Sequence, residues 1–307
     1  MNTTIGVTLN VIASFLFAAM FAYTSLLTNL DGEEIFGWRM LLTFPCLTLF
    51  IITRGYWSQV VNIYHRLTKS IIFIVTRLFS AAMLSFQLWL FVWAPGNGHG
   101  LSVSLGYFIM PLTMVLIGKI AFQDRMTGYQ KVACFFAFLG ILYQIGFSES
   151  LAWPTLAVGL GYPVYFWLRR KTDTNNIGSL WVDMVLSLPI SVIFIFAGGE
   201  ITSDIWVNID TLWLVIGLGV LSASALTFQA LSGPHLNLTL FGLLVYVEPA
   251  LLLLVALILG EEIKASEWPT YLAIWFSVFL LIVEGINSLC VKRKFRKEKL
   301  RTSRYQK

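Results

Sequence analysis

The chain has 307 residues, of which 57% are hydrophobic and 12% charged, and its mean hydropathy is +0.77. A soluble domain is roughly half apolar and about a quarter charged, because a water-facing surface needs charge, so this composition excludes a soluble globular fold and points to a bilayer. The net charge of +5 does not describe a nucleic-acid-binding surface, since Lys292, Arg293, Lys294, Arg296, Lys297, Lys299, Arg301, Arg304 and Lys307 crowd into the last sixteen residues, directly after an apolar segment, as a basic cytoplasmic anchor does.

Taken in chain order, residues 1–10 contain no Lys or Arg. The apolar stretch from Ile5 to about Thr28 is too long for a signal-peptide core and is expected to be a retained first span. A helix needs about 20 apolar residues to cross the hydrocarbon. The segments that qualify are 5–28, 34–53, 70–94, 101–121, 127–147, 151–169, 178–197, 210–231, 237–260 and 268–290. The expected fold is an all-α integral membrane protein of ten transmembrane helices joined by short loops, with no inserted soluble domain. Cys46, Cys134 and Cys290 all fall in apolar runs without a C-x-x-C spacing, and read as small packing residues.

Loop charge sets the expected orientation. With the N-terminus in the cytoplasm, alternate loops carry Arg54, Arg66, Lys69, Arg125, Lys131, Arg169, Arg170 and Lys171, and the tail follows on the same side. The opposite loops are acidic, with Asp31, Glu33, Glu34, Glu149, Glu200, Asp204, Asp210, Glu261, Glu262 and Glu267, against Lys264 alone. Both termini are therefore expected inside.

An internal repeat occurs at an offset of 138 residues: Pro111 falls on Pro249, Gln123-Asp124 on Glu261-Glu262, and Pro95 and Gly96 on Gly233 and Pro234. Two halves are expected, 1–147 and 148–291, followed by the basic tail 292–307. Five spans per half is an odd number, so the second half enters the membrane from the other side, and such inverted repeats suit alternating access.

Within the spans, Arg39 lies about one turn from the outer end of the second. It can snorkel to headgroups, attract a substrate carboxylate, or pair with Glu248. Arg77 and Lys119 read as snorkelling. Gln87, Trp89 and Trp93 line successive turns of the third span, and Tyr107 and Tyr246 precede the two prolines; such groups either hold an amphipathic solute or pack. Trp57, Trp153, Trp181, Trp206 and Trp268 sit at span ends, as an interfacial belt does. Glu248 falls near the middle of the ninth span, where a charge costs roughly 2.5–3.5 kcal/mol or more and must face a cavity or a partner. A carboxyl there can bind and release a proton, or can serve packing alone. Pro111 and Pro249 each remove a helix hydrogen bond, and broken helices at matched positions mark transporter sites.

Two stretches carry a family resemblance. The run Trp93-Ala94-Pro95-Gly96-Asn97-Gly98-His99-Gly100-Leu101, with Ser104-Leu105-Gly106-Tyr107-Phe108-Ile109 and Pro111, resembles the third and fourth helices of RarD-type proteins. These form a branch of the EamA group in the drug/metabolite transporter superfamily. Leu156 to Lys171, ending Tyr165-Phe166-Trp167-Leu168-Arg169-Arg170-Lys171, looks like the sixth helix of that branch. The resemblance implies two inverted five-helix halves and export of small metabolites or drugs driven by an ion gradient. Arg39, Tyr107, Pro111, Tyr246 and Pro249 match the branch. Trp38, Gln87, Gln123-Asp124 and Glu248 depart from its usual His, Asn, Gly-Glu and small residue.

The expected function is a secondary transporter in a bacterial inner membrane, with a small solute, protons and lipids as partners; a homodimer stays open. Glu248, Arg39, Gln87, Trp89, Tyr107 and Tyr246 are the candidate binding or coupling residues, and Pro111 and Pro249 the candidate gating positions. A lipid flippase or a membrane sensor or scaffold are the alternatives. No nucleotide loop, H-E-x-x-H or G-x-S-x-G motif occurs, so neither an enzyme, a cofactor nor a metal is expected.

Overall fold

A computed structural model describes residues 3–24, 26–27, 30–96, 99–147, 153–197, 209–258 and 268–284. The basic tail, most of the acidic loop residues, Trp206 and Cys290 lie outside the described residues. A chain in a bilayer must satisfy its backbone polar groups within itself, which favours helix wherever the sequence is apolar for long enough. The helices are α1 (Thr3–Thr24), α2 (Gly32–Thr53), α3 (Trp57–Leu67), α4 (Ile71–Gly96), α5 (Gly100–Phe122), α6 (Gly128–Phe147), α7 (Trp153–Lys171), α8 (Ile177–Ala197), α9 (Ile209–Ser232), α10 (Leu238–Val245), α11 (Val247–Ile258) and α12 (Trp268–Glu284). No strand occurs among the described residues. Within α1, α2, α4, α8 and α9 the apolar stretch is long enough to cross a membrane, while those of α5, α10–α11 and α12 are shorter. Ile72 is 76% exposed and Phe196 73%, which a water-facing surface would not favour and a lipid-facing one does. The protein is an all-α, multi-pass membrane protein.

Helix α3 falls between the second and third apolar segments, where the sequence leads one to expect only a short loop. It is too short to span, so a length criterion passes over it. Its periodicity is nevertheless helical: Val60 and Ile63 are buried, while Trp57, Val61 and Tyr64 are exposed. It is tied to α8 by the Gly178 N–H, which donates to Gln59 Oε1 at 3.1 Å.

The helices pack as a ring around a central space. α1 packs on α9 and α11; α2 on α8 and α9; α4 on α7 and α8; and α5 on α7 and α10. α6 and α12 pair outside this ring, where the Ser277 hydroxyl donates to the Ala133 carbonyl at 2.8 Å and Phe136 meets Phe276 edge-on at 4.7 Å. Side-chain hydroxyls bond back to their own helices, as Ser14 to Asn10 and Ser187 to Asp183 do, so these polar groups can sit in an apolar surround. Ser85 also donates across to Ser187 at 2.6 Å, joining α4 to α8.

Close helix approach depends on small residues. At Gly37 of α2 a Cβ would lie 2.6 Å from Ile195 Cγ1 and 2.8 Å from the Ser191 carbonyl oxygen. A backbone oxygen cannot step aside as a flexible side-chain tip can. Gly37→Ala is therefore expected to cost about 1–3 kcal/mol, read as a lowered melting temperature of the purified protein in detergent.

Candidate functional site

The ring surrounds a central cavity that is open at its mouth. Eight helices, α1, α2, α4, α5, α7, α8, α9 and the α10–α11 pair counted as one, supply its walls, and α6 and α12 supply nothing. The walls are mostly apolar and aromatic, with Phe17, Phe91, Tyr107, Tyr162, Phe166 and Phe241 among them. Arg39 and Glu248 face it from α2 and α11, and Arg169, Asn175 and Gly233 line the end near the α7–α8 and α9–α10 turns.

Arg39 is 2% exposed in total, so it does not snorkel to the surface. Its Nε donates to Ser222 Oγ of α9 at 2.9 Å. That bond fixes the plane of the guanidinium and leaves both terminal NH2 groups without a hydrogen-bond partner among the described residues. Glu248 has neither a hydrogen bond nor an ion pair there. Its charge and that of Arg39 interact across the cavity, but the two form no ion pair. Tyr107 and Tyr162 stand beside them with ring centroids 5.9 Å apart.

The helix carrying Glu248 is interrupted, as the proline predicts. α10 ends at Val245, Tyr246 is a turn residue, and α11 starts at Val247. Pro249 has no N–H to give the Val245 carbonyl, and the Tyr246 N–H turns to the tighter i−3 bond with Leu243, at 3.2 Å. The matched position behaves differently: α5 runs without a break through Pro111. The Pro111 ring still leaves the Tyr107 carbonyl without its helix partner. Both Tyr107 and Val245 line the cavity.

Three other candidates stand away from the cavity lining. Gln87 donates from Nε2 to the Ala157 carbonyl at 2.7 Å and lies over Gly161, joining α4 to α7. Trp89 sits in an aromatic group with Phe86, Trp93 and Phe194, at centroid distances of 5.9, 5.0 and 6.4 Å. Tyr246 is fully buried, and its hydroxyl donates to the Phe108 carbonyl at 3.0 Å.

A second polar group was not anticipated. Arg77 does not snorkel: its Nη2 lies 3.5 Å from Asp183 Oδ1 and both side chains are 0% exposed. Asp183 Oδ2 accepts from Ser80 at 3.1 Å and from the Tyr165 hydroxyl at 3.3 Å. The Tyr165 oxygen in turn accepts from Arg169 Nη1 at 2.6 Å. Arg169, read from the sequence as a loop charge, is 3% exposed and also bonds the Thr174 and Asn176 carbonyls. Its spacing with Tyr162, Tyr165 and Phe166 places all four on one face of α7, a signal present in the sequence. A further ion pair closes the same end: Arg170 grips both oxygens of Asp124 at 2.9 and 3.0 Å, and Asp124 Oδ2 also accepts the Thr239 N–H in the first turn of α10. Among the described residues no cluster of His, Cys, Asp and Glu could hold a metal.

An apolar, eight-walled cavity with two opposite charges that have no ion-pair partner among the described residues, inside a multi-pass helical protein, fits the class of membrane transporters, and the known relatives agree. The chain is 34% identical to the chloramphenicol-sensitive protein RarD of Pseudomonas aeruginosa, over 90% of this chain and 92% of that one. It is 32% identical to an uncharacterized transporter of Haemophilus influenzae, over 92% and 94%, and 28% identical to protein RarD of Escherichia coli, over 92% and 95%. A solved structure at 13% identity superposes with a TM-score of 0.62 over 91% of this chain and 98% of that one, a likeness of fold. No family model matches the chain. The protein belongs to the RarD-type family, in the EamA group of the drug/metabolite transporters.

Proposed function

We propose that the protein is a secondary transporter that exports a small organic solute by alternating access, with Glu248 as the proton-carrying group. The observation that carries this reading is the placement of Glu248. Among the described residues it has no hydrogen-bond or ion-pair partner, it sits beside a helix break, and it faces a cavity that also holds an arginine whose terminal donors have no partner among those residues. A carboxyl kept for packing would be hydrogen-bonded to a neighbouring helix, and no such bond is made among the described residues.

Ten crossings in two inverted halves are part of the proposal. Packing supports them, because exchanging the halves maps neighbours onto neighbours. α1 lies on α9 as α7 lies on α4, and α2 on α9 as α8 on α4. α5 lies on α7 as α10 and α11 lie on α1, while the pairs α2–α8 and α5–α10 are each their own image. Loop charge supports both termini inside, and the bacterial relatives support a bacterial inner membrane. One chain lines the whole cavity, so a homodimer would carry two separate paths. Walls on all sides suit an aqueous solute better than a lipid tail reaching in from the bilayer.

The test is counterflow in proteoliposomes. Vesicles preloaded with one unlabelled solute from a panel of organic acids, amines and amphenicols are diluted into a labelled trace of the same solute. Transient accumulation of label above equilibrium supports a carrier. Its absence for every solute, in protein whose melting temperature is intact, sinks the reading.

A further inference from the structure

The cavity lining carries three charged side chains, Arg39, Arg169 and Glu248. The remaining buried pair, Arg77 and Asp183, is close enough to cancel. A guanidinium keeps its charge at any physiological pH, so the lining is positive overall whether Glu248 is ionised or protonated. A cation entering this space would meet net repulsion where the surroundings screen poorly, and an anion would be drawn in. The two arginines differ in what they have left to offer. Arg169 gives Nε, Nη1 and Nη2 to the Thr174 carbonyl, the Tyr165 hydroxyl and the Asn176 carbonyl. Among the described residues Arg39 gives only Nε, to Ser222, and presents a held guanidinium whose two remaining NH2 groups match a carboxylate. One such fork matches one carboxylate. Around it the walls are aromatic, which suits a flat ring and leaves little polar surface for a sugar or a polyol.

We propose that the cavity takes a small aromatic monocarboxylate, its carboxylate on Arg39 and its ring among Tyr107, Tyr162 and Phe166, and that this ligand loads together with a proton on Glu248. The proposal rests on the transporter reading of the same site and names its substrate class. The proton follows from competition. An ionised Glu248 shares the field of Arg39 and opposes a second carboxylate; a protonated one does not. The titratable or charged groups facing Glu248 are Arg39 from α2, Tyr107 from α5 and Tyr162 from α7; α1, α9 and α10 bring none to the lining. Arginine and tyrosine do not change charge near neutral pH, so Glu248 alone sets the dependence. Acid on the loading side therefore favours loading, and export of a carboxylate that leaves with its proton runs down the solute's own outward gradient rather than on the inward proton gradient.

The test is binding of phenylacetate and of phenethylamine to the purified full-length protein, followed by calorimetry from acid to mildly alkaline pH. Phenylacetate is expected to bind, with an affinity that falls by up to about tenfold per pH unit as one linked proton is lost, and phenethylamine is not. In Glu248→Gln the phenylacetate profile is expected to be flat. Arg39→Lys, which keeps the charge but not the fork, is expected to weaken phenylacetate by about tenfold or more. Should that variant fail to fold, Ser222→Ala keeps the guanidinium and releases only its anchor, and is expected to weaken binding with the pH slope unchanged. Binding of phenethylamine in place of phenylacetate, a flat profile in the wild type, or no binding of either by protein of normal melting temperature overturns the assignment. Those outcomes leave counterflow of other solutes untouched, and phenylacetate binding without any counterflow sinks the transporter reading while the site stands.

Discussion

Glu248→Gln is expected to abolish proton-driven accumulation while leaving solute exchange intact. Glutamine keeps the size and polarity of the protonated acid and cannot ionise. If one proton is carried per solute, a pH difference of about one unit can drive up to about tenfold accumulation, and the variant should show none. Counterflow needs only that the loaded carrier change its face, so it should continue at a rate comparable to the wild type. The measurement is labelled-solute uptake into proteoliposomes with and without an imposed pH gradient, both proteins side by side. Equal gradient-driven uptake would return Glu248 to a packing role. Loss of counterflow as well as accumulation would mean that the carboxylate is needed for solute binding itself.

The largest effect on stability is expected at the pair Arg77–Asp183. Both side chains are fully buried, and removing one partner strands the other as an uncompensated charge, which costs about 3–5 kcal/mol. Arg77→Met and Asp183→Leu should each lower the melting temperature sharply. The double substitution should recover most of the loss, because well-packed apolar residues commonly replace a buried ion pair at little cost. A double variant no more stable than either single one would show that the Ser80 and Tyr165 hydroxyls, rather than the charges, hold α4, α7 and α8 together.

The sequence made the helical architecture readable because a bilayer imposes length and polarity limits that need no knowledge of packing. The same limits mark Glu248 and Arg39 as residues that must face a cavity or a partner, and both line the cavity. What periodicity leaves open is the direction each side chain faces. Gln87 and Trp89 are as polar or amphipathic as Tyr107, yet Gln87 meets the Ala157 carbonyl and Trp89 its aromatic neighbours. Arg77 looked like a snorkelling residue because its partner, Asp183, lies more than a hundred positions along the chain on α8. Pro111 and Pro249 are matched in sequence, but only the second accompanies a broken helix, since a proline's missing bond can be absorbed by local adjustment when neighbours hold the helix straight. Helix α3 lay below the length that a spanning criterion detects.

The bond from the Tyr246 hydroxyl to the Phe108 carbonyl joins two residues 138 positions apart, the same interval as the proposed repeat. If the inward- and outward-facing forms arise when the halves trade shapes, each contact in one form has an image in the other. The image of this contact would run from the side chain at 108 to the carbonyl at 246, and phenylalanine has no hydroxyl to give. A buried hydrogen bond contributes about 1 kcal/mol net, a bias of roughly fivefold in population. On the proposed alternating-access reading, this asymmetry would act as a ballast that sets the resting face of the carrier. Phe108→Tyr would supply the missing image and should level the two populations, visible as a changed ratio of inward to outward accessibility for a cysteine placed on the cavity wall.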